Sequence, residues 1–139
     1  MGYKSPHMYS LALQSGTGTP ADSTVYYMGN QGGLGWTTVA NISRLFALKS
    51  GIIRKCYINM YTGTTGTAED IVMVIRINNA TDYTFATVGA ATGTRIFSNY
   101  ALSIRVTEGD GIEIKITTPA WVTNPDNVKR GGEMLIECE

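Results

Sequence analysis

"TEGDGIEIKITTPAW", Thr107 to Trp121, is the stretch whose reading decides the fold. Ile112, Ile114 and Ile116 alternate with Glu113 and Lys115, the period of a strand that buries one face. The same phase places Glu113 on the solvated face. Ahead of the alternation, "EGDG" reads as a turn, in which glycine supplies unusual backbone angles and Asp110 accepts bonds from nearby amides. Glu108, Asp110 and Glu113 bring three acids close together, but no histidine and no second acid cluster is near them in sequence. The acids therefore read as a bend that starts a strand, in preference to a metal loop or a catalytic pair.

Working outward, the same signature recurs in "MYSLALQ", "TVYYMG", "SRLFALK", "GIIRKCYINMYT", "DIVMVIRIN", "YTFATVG", "TRIFSN", "LSIRVT" and "GEMLIEC". Short β-branched stretches separated by Gly, Asn and Thr clusters predict an all-β chain, an antiparallel two-sheet sandwich. In "GIIRKCYINMYT" the even set, Ile52, Arg54, Cys56, Ile58 and Met60, reads as the core face, with Arg54 near a rim. The odd set, Ile53, Lys55, Tyr57, Asn59 and Tyr61, reads as an amphipathic outer face. "DIVMVIRIN" is apolar on both faces from Ile71 to Ile75, which predicts a central strand with its second face covered.

The 139 residues make one domain, expected over 9–139, with 1–8 as a loose N-terminal arm containing Pro6. Charged residues are 16% of the chain, below the usual quarter, which predicts a surface of hydroxyls and small loops or one partly covered by other subunits. The net charge of zero argues against nucleic-acid binding, which needs a basic excess, and Lys129–Arg130 is too short to make a basic groove. No apolar run approaches the roughly 20 residues that cross a bilayer, so no membrane partner is expected, and no export signal is apparent. Cys56 and Cys138 lie too far apart for a metal spacing and read as core thiols.

Catalytic chemistry finds little footing. His7 is the sole histidine and falls in the arm, where no scaffold orients it as a base. Glu69, Asp70, Asp82 and Asp110 are the acids left for a carboxylate pair, and each reads as a turn residue. Loop oxygens in "TAEDI" and "NNATD" suit calcium in kind but not in order. "GNQGGLGW", Gly29 to Trp36, lacks the lysine and helix of a phosphate loop. The expectation is a chain that is not an enzyme and holds no metal or cofactor. Trp36 and Trp121, beside glycine- and proline-rich connections, are the candidate ligand or interface aromatics; capping the core is the plainer role.

The order of segments resembles the jelly roll of the complement globular-head and tumour-necrosis-factor-like family. Val74, Ile75, Arg76 and Asn78 match its first element, Leu102, Ile104, Gly109, Asp110 and Ile112 its second, and Gly132, Leu135 and Ile136 the glycine-led last strand. The Thr/Ala/Gly-rich loops look more like short jelly-roll proteins of tailed bacteriophages and prophages, similar to head decoration proteins, fibre knobs and receptor-binding tips. That resemblance implies a homotrimer on the virion surface, made in the host bacterial cytoplasm and fixed to capsid or fibre proteins. It implies Tyr57, Tyr61 and Leu135 as trimer-contact residues. It also sets "GIIRKCYINMYT" antiparallel to the last strand, where Cys56 and Cys138 could meet. The alternative it leaves open is a tail-tip module that binds a host-surface glycan through Trp36 and Trp121.

Overall fold

The computed structural model describes residues 7–30, 36–63, 69–90, 93–126 and 128–139. Ten strands form in the expected places: β1 (Met8–Gly18), β2 (Val25–Met28), β3 (Leu45–Phe46), β4 (Gly51–Thr62), β5 (Glu69–Ile77), β6 (Thr81–Ala90), β7 (Gly93–Asn99), β8 (Ile104–Val106), β9 (Gly111–Thr117) and β10 (Val128–Cys138). Sheet I runs β1-β10-β4-β7, with β8 also on β4; sheet II runs β2-β9-β5-β6, with β3 also on β9. All the pairings are antiparallel.

Because β2 and β3 share β9, and β7 and β8 share β4, the ten strands act as eight. Counted that way, successive strands alternate between the sheets except at the β5–β6 hairpin, which stays in sheet II, and the last strand lies between the first and the third. This is the jelly-roll order. The two sheets face each other over one core of isoleucines, methionines and leucines, with Ile53, Ile58, Ile75, Ile112, Ile114, Ile116 and Phe97 fully buried. β5 is central, between β9 and β6, and Val74 on its outer face is also buried.

A β-bulge corrects the expected phase of β4. Lys55 pairs with Leu135, but the next residue of β10, Ile136, pairs with Ile53, so β4 carries one extra residue at Arg54. Beyond it, Cys56, Ile58 and Met60 face the core as the alternation predicts. Before it, Ile53 is buried and Ile52 is only half-buried, the reverse of expectation. A second bulge, between the Met73–Ala86 and Val74–Thr84 pairs, inserts Phe85 into the core.

Two other boundaries move. Met8, placed in the arm by sequence, already pairs with Glu137, and the His7 carbonyl accepts the Cys138 N–H at 2.7 Å. Gly132 does not introduce the last strand but lies inside it, where a Cβ would stand 2.0 Å from the Tyr57 carbonyl oxygen. β10 and β4 pair antiparallel as expected, yet Cys56 lies opposite Met134 and Cys138 opposite Gly51, and both thiols are free.

The bulge has a direct test. Ile53→Ala is expected to cost about 2–5 kcal/mol in urea unfolding, as for a fully buried isoleucine, and Ile52→Ala less than half as much. Equal costs, or the reverse order, would place the extra residue elsewhere.

Candidate functional site

Beyond the β4 bulge, the outward residues of sheet I form four cross-strand rows. Ser10, Leu135 and Lys55 make the first; Ala12, Glu133, Tyr57 and Ser98 the second; Gln14, Gly131, Asn59 and Ile96 the third; Lys129, Tyr61 and Thr94 the fourth. Strand alternation explains this face, since Leu11, Leu13, Met134, Ile136, Ile58 and Phe97 point the other way into the core. Within these rows the charges are Lys55, Lys129 and Glu133; before the β4 bulge the same face carries a further row, Met8, Glu137, Ile52 and Arg105, where Arg54 pairs with Glu137 at 3.1 Å. Tyr61 is 46% exposed and Ile96 57%, while Tyr57 and Leu135 are half-buried. The structure thus brings Tyr57, Tyr61 and Leu135 onto one surface.

A groove of about 360 Å³ opens there, lined by Ser10, Lys55, Tyr57, Tyr100, Glu133 and Leu135. Tyr100, in the connection after β7, is 59% exposed beside it. Sequence pattern did not single out Tyr100 or Ile96. "RIF" carries large side chains on both faces, so alternation alone could not tell which isoleucine or phenylalanine looks outward.

Sheet II presents a different face. Asp82 lies 3.3 Å from Arg76 Nε and 2.9 Å from Lys115 Nζ, and Arg76 also donates to the Tyr27 hydroxyl at 3.1 Å. This is an ionic lattice of the kind that water covers. Glu113 shares the outward orientation, but at 1% exposure it is not the solvated residue expected. The chain from 36 to 44 passes over it, and its carboxylate accepts the Asn41 N–H at 3.0 Å.

The tryptophans pack inward. Trp121 is 7% exposed in the core cluster, and its indole N–H donates to the Ala21 carbonyl at 3.2 Å, so it is not an accessible platform for a ligand. Trp36 is half-buried, edge-on to Tyr26 with centroids 4.9 Å apart. Against its face, at 3.5 Å, lies the guanidinium of Arg130, an inward-facing residue only 5% exposed that also donates to Ser15. Burial pushes Arg130 down to about 9, which leaves it a cation at neutral pH and suited to stacking on an indole.

The candidate acids hold the backbone. Asp110 accepts the Thr107 N–H and the Asn78 side-chain amide, both at 2.8 Å, and Asn78 accepts the Gly111 N–H. Those bonds hold the Asp110 carboxyl below its ordinary value. The "EGDG" stretch is the expected bend, with Gly109 at φ 88°, and it is tied to a second turn where Asn78 and Asn79 adopt positive φ. Glu69 accepts the Val122 N–H at 2.7 Å, and Asp82 serves Arg76 and Lys115. Among the described residues no group of three or more His, Cys, Asp or Glu side chains converges as a metal site would require. Part of the "TAEDI" stretch (Thr67 and Ala68) and residues 31–35 of the glycine-rich loop lie outside the described residues. Burial pushes the Cys56 thiol up to about 12, so it is an unreactive core residue.

No protein-family model matches this chain, and no curated protein is significantly similar to it.

Two measurements check these assignments. Trp121→Ala is expected to lower stability by about 3–5 kcal/mol, as for a buried aromatic; retained stability with lost glycan binding would return Trp121 to the recognition reading. Asp110 stabilises the fold while it is ionised, so its contribution is complete above the unfolded value of 3.8 and fades as pH falls below it. Asp110→Asn should destabilise the protein at neutral pH by about 1 kcal/mol or less and flatten the acid limb of the stability profile. An unchanged acid limb would refute the assignment.

Proposed function

We propose that this chain is a non-enzymatic structural protein of a tailed bacteriophage or prophage virion, a homotrimeric jelly roll that decorates a capsid or forms a fibre knob. The observation that carries the assembly is the contrast between the two outer faces. Sheet II gathers Arg76 and Lys115 on Asp82, whereas sheet I beyond the β4 bulge offers tyrosines, isoleucine, leucine, glycine and small hydroxyl residues around Lys55, Lys129 and Glu133, its Arg54–Glu137 pair lying at the far end. Enrichment in Tyr with depletion of charge is the composition of the core of a subunit interface.

The flatness of sheet I supports the same reading. Gly131, Ala12 and Ser10 leave low ground between Tyr57, Tyr61 and Leu135, so aromatic rings of one copy can settle into the groove of the next. A chain whose acids tie down turns and whose tryptophans brace the core suits a mechanical role. The phage assignment rests on the loop composition and on the segment order that resembles the phage jelly rolls. Attachment would then gain from copy number, because contacts of modest strength act together on one particle.

Solution mass tests it. Native mass spectrometry should give three times the 15.0 kDa chain mass, and Tyr57→Glu with Leu135→Glu should reduce it to the single-chain mass with an unshifted unfolding midpoint. A wild-type monomer across a wide concentration range would sink the assembly.

A further inference from the structure

The charges of sheet I divide into those that have a partner within the chain and those that do not. Before the β4 bulge, Arg54 lies 3.1 Å from Glu137, and Arg105 pairs with Glu139. On the inner face, Arg130 stacks on Trp36. Lys55 and Glu133, beyond the bulge, are different. Among the described residues Lys55 takes part in no ion pair or hydrogen bond, and Glu133 has only the Tyr57 hydroxyl, at the long distance of 3.5 Å. Both are exposed, and both border the groove of about 360 Å³, with Tyr100 beside them.

The register sets these charges in a block of four. Lys55 lies opposite Leu135, and Tyr57 lies opposite Glu133. The opposite charges therefore occupy one diagonal and the two contact residues, Tyr57 and Leu135, the other. Diagonal neighbours on adjacent strands stand about 7–8 Å apart. While the face is open, water covers both charges. Covering Tyr57 and Leu135 with protein also strips water from the charges that flank them, and a charge buried without a partner is strongly destabilising. Whatever covers the block must bring an anion to Lys55 and a cation to Glu133, beside an apolar patch. A second copy of the same block carries all three.

We propose that Lys55 of one copy pairs with Glu133 of the next, an ion pair between copies that fixes the register of the subunit contact. The inference rests on the homotrimer reading above and names the polar contact within it. A ring contact joins two different surfaces, so each copy presents Lys55 to one neighbour and Glu133 to the other, and three copies close with every pair made. Matched charges of this kind steer partners into one register and penalise the wrong ones, where like charges meet. Lys129 is the remaining charge in these rows. It lies two rows from Glu133, at another hollow with Asn59, Tyr61 and Thr94, and is the rival partner.

Paired cysteines read the contact directly. In the full chain carrying Lys55→Cys with Glu133→Cys, mild oxidation should give a covalent trimer on a non-reducing gel. Each single variant, and the wild type with its own Cys56 and Cys138, should run as single chains. Within one chain the diagonal is too long for a disulfide, whose Cβ atoms approach to about 3.5–4.5 Å, so the bond must join copies. Charge reversal gives a second reading, with unfolding midpoints unchanged because both positions are exposed. Lys55→Glu should raise the concentration at which the trimer dissociates roughly a hundredfold, and adding Glu133→Lys should restore most of the loss. If the wild type is a trimer but the paired cysteines stay single-chain, the ion pair is overturned and the trimer stands. Cross-linking that needs Lys129→Cys in place of Lys55→Cys, or a double reversal that restores nothing, has the same meaning. A wild-type monomer overturns both.

Discussion

Everything in this fold hangs on the pairing of β10 with β4. β10 is the last strand, and it inserts between β1, the first, and β4, so sheet I is complete only when the two ends of the chain have met its middle. The close approach depends on Gly132, since a Cβ there would sit 2.0 Å from the Tyr57 carbonyl oxygen. Gly51 plays the same part at the far end of the pair, 2.3 Å from the Glu137 carbonyl oxygen by the same measure. A methyl group at either place separates the strands. Long-range pairing of this kind closes large loops before any contact repays their entropy, which makes such topologies slow to form.

How the strands are placed was legible because the period of two survives in nearly every segment. "GIEIKIT" and "GIIRKCYINMYT" coincide with β9 and β4 from end to end. The phase inside β4 was not legible. A bulge leaves no mark in a stretch where Ile52 and Ile53 are equally apolar, and only the partner strand reveals which is extra. Glu113 escaped for a related reason: alternation gives the direction of a side chain, but a segment far along the chain decides whether that direction ends in water. Trp121 and Arg130 show the converse. Trp121 takes the plainer, core-capping role and Arg130 is buried against its type, and their polar partners, Ala21 and Ser15, lie a hundred residues or more away.

The candidate surface was half legible. Tyr57 and Tyr61 share the odd phase of β4, so their common face followed from the sequence, and Leu135 joined them through the expected strand neighbour. Ile96, Tyr100 and the groove beside Tyr100 required the register of β7 against β4. The low charge of the chain carried real information, but composition cannot say where the charges are missing. In sheet I they thin out around Tyr57, Tyr61 and Ile96 and collect at the Arg54–Glu137 end.

That division follows from one physical asymmetry. An exposed ion pair contributes little to stability, about 0–1 kcal/mol, so the lattice of Arg76, Asp82 and Lys115 is better understood as keeping sheet II wet than as holding it together. Sheet I keeps its ion pair, Arg54 with Glu137, at one end, and the tyrosines and aliphatic side chains of the remainder gain most when water is removed from them. The buried charges obey the same logic from the other side. Arg130 tolerates desolvation because an indole face and a hydroxyl receive its guanidinium, and a neutral methionine of similar length would fill that space without loss of packing. Glu113 differs: its burial is imposed by the chain from 36 to 44, which is also held by Tyr27 and Asn30 and by Trp36 against Tyr26. Arg130 thus braces the core from within sheet I, whereas the Glu113 carboxylate, buried on the outside of sheet II, ties down the segment that covers it.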